Sequence, residues 1–109
     1  MDAQPQPISP AELKGRLDAG DALVLLDVRE SEEVAICALP GVTHVPMGEL
    51  SVRLPELDPD AETVCICHHG IRSAHVAAAL AQMGFERLWN LSGGMDRWAS
   101  AAYPARALY

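Results

Sequence analysis

Thr63-Val64-Cys65-Ile66-Cys67 is a short apolar run rich in β-branched residues, and an alanine-rich run begins a few positions later at Ser73. The first reads as a core strand. The second, Ser-Ala-His-Val-Ala-Ala-Ala-Leu-Ala-Gln-Met, is built from strong helix formers and stops at Gly84, a natural C′ residue. Where strands alternate with helices in this way, the chain folds as a mainly parallel sheet covered on both faces.

The remaining segments repeat the alternation. Ser9-Pro10-Ala11-Glu12 combines an N-cap, a proline at the first helical position and a capping-box glutamate, which predicts a helix to about Ala19 ended by Gly20. Ala22 to Asp27 reads as a strand, Glu30 to Ala35 as a short helix and Thr43 to Val45 as a brief strand beyond the Pro40-Gly41 turn. Gly48 to Leu54 predicts another short helix before the Asp58-Pro59-Asp60 turn. Arg87 to Asn90 reads as a strand, and Gly93-Gly94 as a turn into a helix that carries Trp98. With 109 residues and 50% hydrophobic content there is room for one modest core. Residues 1–8 are expected to be a flexible tail and residues 9–109 a single domain.

Charge and cysteine usage bound the function. A formal charge of -7 argues against nucleic acid or an anionic membrane as partner, because both demand a basic surface. Three cysteines, an odd number without a paired framework, suit a reducing compartment. The first residues carry no basic n-region or apolar h-region, and no apolar run approaches the ~20 residues needed to cross a bilayer. The expected location is cytoplasmic.

The loop Cys67-His68-His69-Gly70-Ile71-Arg72-Ser73 lies where the core strand ends and the helix begins. The first turn of a helix leaves backbone N–H groups without partners and carries the positive end of the macrodipole. A cysteine placed there is expected to be partly thiolate at neutral pH, and the thiolate is the nucleophilic form. Gly70 gives the loop backbone a conformation that other residues resist, and Arg72 adds a fixed cation with a planar donor fork. The spacing Cys-x4-Arg is one residue shorter than the Cys-x5-Arg loop of cysteine phosphatases. One residue spans up to roughly 3.5 Å, so the shorter loop suits a persulfide sulfur better than a phosphoryl group.

Four segments together resemble a single-domain rhodanese, the thiosulfate sulfurtransferase-like family. They are Leu25-Leu26-Asp27-Val28-Arg29-Glu30 with Glu32-Glu33, Leu39-Pro40-Gly41-Val42 with Val45-Pro46, the Cys67 to Ser73 loop, and Leu91-Ser92-Gly93-Gly94-Met95-Asp96-Arg97-Trp98. The resemblance implies a three-layer α/β/α fold around a central, mainly parallel sheet of about five short strands. It also implies a transferase that moves a sulfane sulfur from thiosulfate or a similar anion to cyanide or a thiol through a Cys67 persulfide. No other cofactor and no metal is expected. By the same resemblance Arg72 holds the donor's sulfonate end, the backbone from His68 through His69, Gly70 and Ile71 to Ser73 lines the cradle, and Asp27 and Arg29 brace the site from beneath. The alternative function is a sulfur-relay or persulfide-carrier module that exchanges sulfur with partner proteins.

This chain also departs from the family pattern. Many members have Gly-His-Ile-Pro-Gly-Ala where Cys37-Ala38-Leu39-Pro40-Gly41-Val42 stands. Cys37 reads most simply as a small buried hydrophobe, with a resolving thiol as the alternative. Other residues have plain readings beside the sharp ones. His68 and His69 are read as solvated loop residues or as contacts to donor. Arg29 is read as a support of the site or as a surface charge paired with Glu30 or Glu32. A metal cluster of Cys65, Cys67, His68 and His69 is disfavoured, because four ligands within five residues do not converge on one tetrahedral ion.

Overall fold

The computed structural model describes residues 4–101 and 106–107. In chain order the elements are β1 (Gln6–Ile8), α1 (Pro10–Asp18), β2 (Val24–Asp27), α2 (Ser31–Ile36), β3 (Cys37–Ala38), β4 (Thr43–His44), α3 (Leu50–Arg53), β5 (Thr63–Ile66), α4 (Ile71–Gln82), β6 (Leu88–Leu91), α5 (Gly94–Ser100) and β7 (Arg106–Ala107). Five strands make one parallel sheet in the spatial order β1-β6-β5-β2-β4, so β5 lies at its centre. The short strands β3 and β7 pair antiparallel apart from it. This is the expected α/β architecture.

The period-two alternation of the strands divides the core into two layers. Leu26, Val28, Cys65 and Cys67 face α4, where Val76, Ala77 and Leu80 cover them together with Leu50 of α3. Leu25, Val64 and Ile66 face the other way, against Leu13 of α1 and Met95 and Trp98 of α5. Every residue of β5 is buried, which explains why Val64, Cys65 and Ile66 run apolar without alternation. Among the described residues no helix is long and apolar enough to cross a membrane.

The first helix follows its signals closely. Ser9 caps it by accepting the Glu12 N–H at 3.1 Å, and the Glu12 carboxylate accepts the Ser9 N–H at 3.0 Å. The expected flexible tail is corrected at its end, because Gln6–Ile8 pairs in parallel with β6. Pro7 lacks an N–H, which suits only an edge strand, and burial of Ile8 to 2% exposure anchors the segment. Helix α4 begins at Ile71, two residues before the expected Ser73, with Gly70 as its N-cap. That earlier start puts Ser73 in the first turn, where its N–H is still unpaired within the helix.

Candidate active site

The sulfur of Cys67 caps helix α4. Gly70 takes φ 93°, the left-handed region, and turns the chain so that its own N–H donates to Sγ at 3.1 Å. A side chain there would be strained, and its Cβ would sit 3.2 Å from the Leu91 carbonyl and 3.3 Å from the Gly93 nitrogen. Ser73 adds its N–H and its hydroxyl, each 3.3 Å from Sγ. Cys67 is only 1% exposed, so the sulfur forms the floor of the cradle.

The environment sets the thiol's acidity. Burial pushes Cys67 up, but the Ser73 hydroxyl and N–H, followed by the Gly70 and His69 N–H groups, outweigh it and leave the thiol below its ordinary value. Cys65, two residues back on the same face, has no such donors. Burial, with the Cys67 charge behind it, pushes Cys65 up to about 12. The surroundings favour the thiolate at Cys67, whereas Cys65 belongs to the core. All three cysteines are free.

Two residues that the sequence reading did not assign to the site hold this loop in place. Asn90, on β6 opposite Cys65, donates from Nδ2 to the Gly70 carbonyl at 3.0 Å, and its Oδ1 shares with Cys67 Sγ the single proton of the Ser73 hydroxyl. Because a carbonyl only accepts, the Gly70 contact fixes which end of the amide faces it. A polar residue inside the apolar run Leu88-Trp89-Asn90-Leu91 was the available signal, since buried polar groups need partners. Gly94, read from sequence only as part of a turn, lets α5 close on the loop from behind. The Met95 N–H donates to the Cys67 carbonyl at 2.8 Å and the Asp96 N–H to the His68 carbonyl at 3.0 Å. A Cβ at Gly94 would lie 2.3 Å from the Cys67 carbonyl oxygen and 2.5 Å from that of His68.

Both arginines are held by carboxylates. Arg72 does not point an unpaired guanidinium at the cradle: its two terminal nitrogens each donate to one carboxylate oxygen of Glu33, both at 2.8 Å. Glu33 is itself fixed, accepting the Glu30 N–H at 3.0 Å in the capping box of α2. The Arg72 hydrogen bonds, working against burial, hold the Glu33 carboxyl down at about 2. Arg29 is not a surface charge. It is 3% exposed and binds the fully buried Asp27 through Nε at 2.9 Å and Nη2 at 2.7 Å, while Nη2 also donates to the Cys37 carbonyl at 2.7 Å. The pair ties the end of β2 to the junction of α2 and β3.

The rim of the loop is exposed. His68 and His69 meet edge to face with ring centroids 4.1 Å apart, and Ile71 is 68% exposed. Beside His68 opens a pocket of about 260 Å³, apolar at Ile36, Met95 and Ala99 and acidic at Glu33 and Asp96. Cys37, half-buried, lies in its wall rather than in the sulfur cradle.

A parallel α/β sheet that ends in a cysteine capping the following helix defines a class of domains with a cysteine nucleophile in a backbone anion cradle. A family model described as a rhodanese-like domain matches residues 9–101. The chain is 41% identical over 97 residues to "Putative sulfurtransferase YtwF" of Bacillus subtilis, covering 89% of this chain and 93% of the relative. It is 33% identical over 97 residues to a "Sulfurtransferase" of Allochromatium vinosum, covering 89% of this chain and 91% of that one. The crystal structure of a rhodanese-related protein from Thermoplasma volcanium superposes with a TM-score of 0.85 at 30% identity, over 95% of this chain and 99% of the other. The chain belongs to the rhodanese-like domain family.

Proposed function

We propose that the protein is a sulfurtransferase that carries sulfane sulfur as a persulfide on Cys67. The observation that carries this reading is the convergence of the Gly70 N–H and the Ser73 N–H and hydroxyl on one sulfur of lowered pKa. With thiosulfate as donor, the Cys67 thiolate attacks the sulfane sulfur, the S–S bond of thiosulfate breaks with its electron pair going to sulfite, and Cys67–S–S⁻ forms. A thiolate or cyanide then attacks the outer sulfur and releases Cys67 as thiolate. No external oxidant or reductant is needed, because sulfur moves without net electron exchange. The donors at Sγ act where charge returns to that atom as the persulfide is discharged. No resident cofactor takes part.

Intact-mass measurement after incubation with thiosulfate tests this directly. The expected result is a gain of one sulfur that cyanide removes and that Cys67→Ser abolishes; unchanged turnover in Cys67→Ala overturns the mechanism. A relay role is the second reading, favoured by the 40% identity over 91 residues to "Putative sulfur carrier protein YrkF" of Bacillus subtilis, of which the match covers 49%. Persulfide formed only from a protein donor, and not from thiosulfate, selects the relay.

A further inference from the structure

If Cys67 carries sulfane sulfur, a donor must approach the cradle past the loop's cation, and that cation is engaged. Both terminal nitrogens of Arg72 are matched to the two oxygens of Glu33 at 2.8 Å, a planar fork-to-fork pair that compensates the guanidinium charge and engages two of its five N–H donors. Glu33 has limited freedom to release it, because its Oε1 also caps α2 through the Glu30 N–H. The Arg72 hydrogen bonds hold its carboxyl at about 2, so Glu33 is ionised at neutral pH. The second cation nearby, Arg29, is neutralised by Asp27 in the interior. With Arg72 and Arg29 each matched by a carboxylate, what is left beside the entrance is Asp96 on the edge of the adjoining pocket, on a chain of formal charge -7.

We infer that Glu33 is a specificity-determining residue: it withholds Arg72 from anionic donors, so that the sulfur taken up by Cys67 comes from a persulfide on a neutral or cationic carrier in preference to thiosulfate. This rests on the sulfurtransferase reading and narrows its donor class. In the preferred step the Cys67 thiolate attacks the outer sulfur of R–S–SH, forms Cys67–S–SH and expels R–S⁻; one S–S bond forms as another breaks. The apolar side of the pocket at Ile36, Met95 and Ala99 accepts the carrier's uncharged part.

The test reads charge preference separately from turnover. Glu33→Gln removes the negative charge while keeping an acceptor for the capping box. Its KM for thiosulfate with cyanide is expected to fall about fivefold with kcat changed much less, because a local charge acts on an anionic donor chiefly through binding. Independently, Cys67 modification by an anionic (sulfonatoethyl) and a cationic (trimethylammonioethyl) methanethiosulfonate is followed by mass spectrometry of the Cys67 peptide. The wild-type protein is expected to react faster with the cation, and Glu33→Gln to shift the ratio toward the anion by about fivefold. Adding Arg72→Ala to Glu33→Gln is expected to cancel both gains, and this cycle separates release of Arg72 from a general loosening of α2. A wild-type preference for the anionic reagent overturns the inference even if the variant does not fold, as does a folded Glu33→Gln with an unchanged ratio. If the ratio shifts as expected but neither thiosulfate nor a persulfide ever loads Cys67, the specificity argument holds and the sulfurtransferase reading falls.

Discussion

Individual side chains divide into those that act on the sulfur and those that hold other groups in place. Ser73 contributes two of the contacts to Sγ, and its hydroxyl favours the charged form. Ser73→Ala is expected to raise the Cys67 pKa, because it removes a hydrogen bond that favours the thiolate. The midpoint of Cys67 alkylation against pH measures it, and an unmoved midpoint removes the hydroxyl from the account. Cys65 should stay unmodified throughout, because burial holds it near 12. Arg29 acts by holding structure together. Arg29→Ala leaves the Asp27 carboxylate buried without its cation, an arrangement that typically costs about 3–5 kcal/mol. Urea unfolding should show that loss as a lower midpoint.

At the level of elements, the site is a meeting of three: β5 delivers the cysteine, the N-terminus of α4 supplies donors, and α5 presses on the loop's carbonyls. Gly94 is what allows the third approach. Its φ of 59° is shared in kind by Gly84 at 97°, but a Cβ at Gly84 meets nothing within 4 Å whereas one at Gly94 overlaps the Cys67 and His68 backbone. The two glycines therefore separate strain from contact. Gly84→Ala is expected to cost about 1–2 kcal/mol of stability through its φ alone and to leave turnover intact. Gly94→Ala carries the same strain but must also move the loop, and a displacement of about 1 Å at a reacting centre can cost about a hundredfold in rate. Equal turnover in the two variants, measured at a temperature where both are folded, would show that α5 does not position the nucleophile.

Across the whole molecule, acidic groups paired at long range set the response to pH. Glu62 binds Arg16 at 2.5 and 2.9 Å and accepts the Trp89 indole N–H at 2.7 Å, linking α1, the start of β5 and β6. Chiefly through Arg16 its carboxyl is held at about 2, as is that of Glu33 through Arg72. Both folded values lie below the ordinary 4.5, so the unfolded chain binds more protons in between. The stability these groups contribute is complete above about 4.5 and is lost as pH falls toward about 2. Thermal midpoints measured over that range should fall with acid, and Glu62→Gln should lower the neutral midpoint while flattening the acid limb. Parallel slopes for variant and wild type would remove Glu62 from the transition. The same long-range character separates what could be read along the chain from what could not. The Cys67 cradle was legible because strand, glycine and helix start lie within ten residues and obey local rules of helix ends. Helix α1 was legible for the same reason. The partner of Arg72 lies 39 residues away on α2 and that of Ser73 lies 17 residues on, in β6. By itself, then, the amino-acid sequence determined the α/β class, the place of Cys67 before a helix and the backbone N–H groups that face its sulfur, because backbone geometry near one turn decides them. Only the tertiary structure decided that Gln6–Ile8 joins the sheet, that Arg29 is buried on Asp27 and that Arg72 is held by Glu33. Pairing between distant segments depends on which strands become neighbours, and no local pattern encodes that.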